Sequence, residues 1–99
     1  MANVGHITAT TASQNMLGYN NVRQGLLIKN LISNTGTAYI AFGTGITAVT
    51  AVTGTSFPLS VGEVFYVTAD NWDRRASMLP DAVQIIVSTT GQNIAFIEF

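Results

Sequence analysis

Apolar and polar residues alternate with period two in several short segments of this chain, the spacing of strands that bury one face. In "QGLLIKNLIS", Leu27, Lys29 and Leu31 fall on one side and Leu26, Ile28 and Asn30 on the other, so both faces are largely apolar near its start. Asn34-Thr35-Gly36 supplies turn chemistry, and "TAYIAF" follows with Ala38, Ile40 and Phe42 set against Tyr39 and Ala41, which predicts a hairpin. Pro58 restricts the next strand to a sheet edge or to a strand's first position, and Val61-Gly62 reads as a turn. "EVFYVTA" then resumes the alternation, with Phe65 and Val67 opposite Val64, Tyr66 and Thr68. Near the end, Val83, Ile85 and Val87 alternate with Gln84, Ile86 and Ser88; Thr90-Gly91-Gln92 turns; and Ile94, Phe96 and Glu98 alternate with Ala95, Ile97 and Phe99. This is the clearest hairpin signal in the sequence, and it predicts that the final strand is tied into a sheet.

Two stretches break the pattern. Gly43 and Gly45 end a strand, and "ITAVTAVT" after them is rich in β-branched residues that lose rotamer freedom in a helix, so it reads as extended or loop-like. "DNWDRRASMLPD", residues 70–81, holds five of the nine charges and the only Trp, and reads as a long polar loop. The opening stretch is small and polar around Met16, Leu17 and Tyr19, the composition of an arm or of a short strand plus loop. The expected organisation is residues 1–22 as that arm and 23–99 as one all-β domain, an antiparallel β-sandwich or jelly-roll-like barrel.

Composition changes what surrounds those strands. Hydrophobic residues make up 47% of the 99-residue chain and charged residues only 9%, and from Asn30 to Gly62 no residue carries a charge. A surface built from Thr, Ser, Asn, Gln and Gly desolvates more cheaply than one built from ions, which predisposes the chain to lasting contact with other subunits. With a net charge of −1, Arg23, Lys29, Arg74 and Arg75 form no basic stripe, so nucleic acid is not an expected partner. Cysteine is absent, which excludes disulfides and thiolate metal sites. The start lacks a secretory-signal pattern, and Thr, Ser, Gly and Asn interrupt the uncharged run too often for a membrane helix, so no membrane partner is expected.

Candidate chemistry is thin. Gly43-Thr44-Gly45-Ile46-Thr47-Ala48 fits a relaxed dinucleotide fingerprint with Glu63 about twenty residues on, but β-branched residues, Gly54 and Pro58 follow where a helix should begin. His6 is the sole histidine, with no second His or Cys to share a metal and no nucleophile elbow to serve. Asp70, Asp73 and Asp81 share one loop but lack calcium-loop spacing and its closing Glu. The reading is therefore of a protein that is not an enzyme, with no catalytic residue, cofactor or metal. Trp72 beside Arg74 and Arg75 has the residue types that anchor interfaces, and together with Met16, Leu17 and Tyr19 it makes the candidate partner surface; the competing reading folds Trp72 over a sheet edge with both arginines paired to nearby aspartates.

The segments "VRQGLLIKNLISNTGTAYIAFGTG", "FPLSVGEVFYV" and "VQIIVSTTGQNIAFIEF" resemble the small β-sandwich virion proteins of tailed bacteriophages. The matching positions are Arg23, Leu26, Ile28, Asn30, Tyr39, Ile40, Phe42, Gly43, Leu59, Gly62, Glu63 and Glu98, while the loop 70–81 is longer and more charged than that pattern. The resemblance implies a virion component assembled in the host cytoplasm, first a capsid decoration (cement) protein that binds the major capsid protein and self-associates, often as a homotrimer. The alternative is a tail, spike or fibre component with a host-glycan site at Trp72.

Overall fold

The computed structural model describes residues 3–20, 22–43, 50–54, 56–68 and 81–99. Within them the chain is all-β, with eight strands: β1 (Asn3–Ala9), β2 (Gln14–Leu17), β3 (Gly25–Asn30), β4 (Ala38–Phe42), β5 (Phe57–Leu59), β6 (Val64–Thr68), β7 (Val83–Val87) and β8 (Gln92–Glu98). They form two four-stranded sheets, in the orders β1-β8-β3-β6 and β2-β7-β4-β5, with every pairing antiparallel. Each sheet interleaves strands from the beginning, middle and end of the chain, the double Greek-key order of a jelly-roll sandwich.

The predicted strands are present, and the structure decides which of their two alternating sets faces inward. Leu26 and Ile28 of β3, Ile40 of β4, Val67 of β6, Val83, Ile85 and Val87 of β7 and Ile94 of β8 are buried in one core between the sheets. Phe42, Phe65 and Phe96 pack against that core, and the Phe42 and Phe65 rings lie 5.4 Å apart at a tilt. β5 contains Pro58 and sits at a sheet edge, the one environment where a missing ladder N–H costs little.

Both expected hairpins are corrected. β3 and β4 lie in different sheets, as do β7 and β8, so the turns at residues 31–37 and 88–91 carry the chain across the sandwich rather than back along the same ladder. Alternation specifies a strand and its buried face but not its neighbour, and the long-range partners win here: β8 is paired with β1 and β3, and β7 with β2 and β4.

The opening stretch, expected as an arm or a short strand plus loop, supplies β1 to one sheet and β2 to the other. Ala9, Met16 and Leu17 are core residues, so burial of this apolar set accounts for the docking of both strands.

Polar groups at the sandwich corners are matched. Asn30, fully buried, donates from Nδ2 to the carbonyls of Gly36 (3.0 Å) and Leu59 (2.9 Å), and its Oδ1 accepts from Asn34 Nδ2 at 2.6 Å. Its backbone is bonded to Gly62 N–H and Glu63 C=O. The turn from β5 to β6 closes through Glu63 N–H to Ser60 C=O at 2.9 Å, with Gly62 at φ +83°, a left-handed position that glycine takes without strain.

Candidate functional site

The outer faces of the two sheets differ. On β2-β7-β4-β5, Tyr39, Ala41 and Ile86 pack with Ala51, so the segment after the uncharged glycine-rich stretch lies against that face. Its backbone is held there by Ala51 N–H donating to Ser13 Oγ (2.9 Å), which in turn donates to Gln84 Oε1 (3.0 Å).

The outer face of β1-β8-β3-β6 is built as cross-strand rows. Register places Val4, Ile97, Leu27 and Tyr66 side by side across all four strands, and His6, Ala95, Lys29 and Val64 in the next row. Val4 is 68% exposed, Tyr66 54% and Val64 47%. Phe99 extends the patch beyond the end of β8, its ring lying over Gly25, where no side chain intervenes. Among the described outward-facing residues of these strands, Lys29 is the only Asp, Glu, Lys or Arg. The face therefore carries an apolar row from Val4 to Tyr66, flanked by Ala95 and Val64 and interspersed with Thr8, Asn93, Thr68, His6 and Lys29; it is charge-poor and, among the described residues, uncovered, features of a surface suited to mating with another macromolecule.

The signal for this face lay in the sequence but was not singled out as a site. "GLLIKN" and "IAFIEF" place apolar residues on both sides of their strands, the pattern of strands covered on two faces.

Of the sequence-based interface candidates, Met16 and Leu17 are buried in the core, a correction whose physical reason is the register shift of β2 against β7 between Asn15 and Leu17, which lets two consecutive side chains reach the core. Tyr19 is 44% exposed in the segment after β2. Trp72, Arg74 and Arg75 lie outside the described residues, as do Asp70 and Asp73.

His6 is exposed on the outer side of β1. Glu63 accepts the Ser60 N–H at 2.6 Å, fastening its own turn. Gly43 donates its N–H to Ala82 C=O at 2.8 Å, and Thr44 to Val49 of the glycine fingerprint lie outside the described residues. The Asp81 carbonyl accepts from Arg23 Nη1 at 3.0 Å. Among the described residues there is no pocket and no cluster of metal-ligating side chains.

No family model, curated protein or solved structure matches the chain.

Proposed function

We propose that this chain is a structural virion protein of a tailed bacteriophage, a decoration protein that binds the outer capsid shell and braces adjacent major capsid subunits. The observation that carries the reading is the charge-poor outer face of β1-β8-β3-β6, with its apolar row from Val4 to Tyr66, uncovered among the described residues. Such a face is stabilised by a macromolecular partner, because covering it releases water from apolar area while stripping almost no charge of its hydration. Low total charge supports the same reading, since a surface built mainly from neutral polar side chains desolvates cheaply.

The resemblance of the segments around Arg23, Asn30, Glu63 and Glu98 to small phage virion proteins supplies the choice of partner. Jelly rolls serve in viral capsid proteins, lectins and cupins, so the fold is compatible with the role by analogy only. In this role many weak contacts, engaged together by a self-associated protein on neighbouring capsomers, add up to durable binding through effective concentration. The protein acts by contact, without catalysis, cofactor, nucleic acid or membrane.

The test is a copy count in purified virions together with the heat resistance of particles lacking the protein. Many copies per particle and earlier loss of DNA on heating are expected. A few copies at one vertex would assign the protein to the tail or spike instead, and equal heat resistance would remove the bracing role.

A further inference from the structure

The four sheet edges are unequally protected. β2 has four residues and an irregular register between Asn15 and Leu17, and β5 has three residues including Pro58; both are poor templates for a further strand. β6 has five residues and is preceded directly by Glu63. β1 is different: seven residues in unbroken register with β8, with no proline and no Asp, Glu, Lys or Arg from Met1 to Val22.

The ladder fixes which backbone groups of β1 point outward. Gly25 and Phe99 exchange both N–H···O bonds, at 2.9 and 3.0 Å, so by antiparallel alternation Leu27 with Ile97 and Lys29 with Ala95 do the same. Ile94, Phe96 and Glu98 then face β1 and meet Ile7, Gly5 and Asn3. The Ala9 carbonyl, which accepts from Gly91 N–H at 3.0 Å on the β8 side, obeys the same parity. Val4, His6 and Thr8 are thus left with their amides and carbonyls directed away from the sheet.

We propose that β1 pairs antiparallel with β1 of a second copy, about a two-fold axis at His6, joining two four-stranded sheets into one. Only one antiparallel register bonds all the outward groups: Val4 opposite Thr8 of the second copy, His6 opposite His6, and Thr8 opposite Val4. It sets Gly5 beside Ile7 on the inner face, a small residue against a large one, and brings no Asp, Glu, Lys or Arg into the seam. The second copy is favoured as occupant because the strand is complementary to itself in length, charge and hydrogen-bonding parity, the requirement of a two-fold interface. The pairing also makes the two outer apolar faces continuous. It concerns the isolated protein and does not depend on the virion reading; a ring of three, if present, would use a separate contact.

The chain lacks cysteine, so single-cysteine variants of the purified protein test the register directly. His6→Cys is expected to be joined to its own copy by a short thiol-bridging reagent such as dibromobimane, since a hydrogen-bonded pair on the axis holds the two Cβ atoms about 5.5 Å apart, just beyond direct disulfide reach. With the same reagent, Val4→Cys and Thr8→Cys should each remain monomeric on a non-reducing gel, whereas an equal mixture of the two should cross-link. His6→Pro removes an outward N–H while sparing the bonds to β8, so it should keep the wild-type circular dichroism spectrum and sediment as a monomer where the wild type is a dimer. Failure of His6→Cys to cross-link, equal cross-linking of all three single variants, or a folded His6→Pro that still dimerises through this edge would overturn the proposal. If His6→Pro does not fold, the cysteine results alone decide it. A failed virion assay would leave this edge pairing untouched, and a failed cross-link would leave the virion reading untouched.

Discussion

Arg23 Nη2 lies 2.7 Å from Glu98 Oε2, with Nε donating to the same oxygen at 2.8 Å, and the arginine side chain is wholly buried. Nη1 also donates to the Asp81 carbonyl (3.0 Å) and Nη2 to the Gly18 carbonyl (3.0 Å), while Glu98 Oε1 accepts from Asn3 Nδ2 at 2.9 Å. One guanidinium thereby ties together the segment after β2, the start of β7 and the end of β8. Removing Glu98 takes away the carboxylate to which both Nε and Nη2 of this buried guanidinium donate. Glu98→Ala is expected to destabilise the fold by about 3–5 kcal/mol, read from the urea midpoint; a loss comparable to that of an exposed ion pair would refute the brace.

Asn30 must present two donors to carbonyls and one acceptor to Asn34. Asn30→Asp replaces the donors with an acceptor facing two carbonyl oxygens, whereas Asn30→Ala leaves those oxygens and Asn34 Nδ2 without their Asn30 partner but adds no repulsion. Thermal melting should place Asn30→Asp below Asn30→Ala, and Asn30→Ala below wild type by about 2–4 kcal/mol. Equal melting of the two variants would show that water replaces the amide.

Gly5 faces Phe96, whose ring fills the space a side chain would take: a Cβ there would sit 2.9 Å from the ring's Cζ. Gly5→Ala is expected to cost about 1–3 kcal/mol by pushing Phe96 off its packing position. Phe96→Leu should restore part of that loss in the double variant, and purely additive losses in a double-mutant cycle would show that the two sites are not coupled.

Tyr66→Lys and Val4→Lys place charge on the exposed apolar face without touching the core. Stability should change by no more than about 0.5 kcal/mol in denaturant titration, while binding to the proposed shell partner should fall sharply in a co-sedimentation assay. Unchanged binding by the doubly substituted protein would show that this face is not the contact surface.

Sequence by itself determined β3, β4, β6, β7 and β8 as strands and the two alternating sets along each, because a period of two is a local property carried by residues two positions apart. That reach extended to the edge position of the Pro58 strand and to the turn at Gly62. It stopped at partnership. Both turn-linked strand pairs divide between opposite sheets, since covering two apolar faces against each other outweighs the convenience of a short loop. Only the tertiary structure brought Arg23 to Glu98, residues 75 positions apart, drew Met16 and Leu17 into the core, and left the row from Val4 to Tyr66 open on an outer face. Those outcomes depend on which distant strands lie side by side, and alternation along one strand carries no record of that choice.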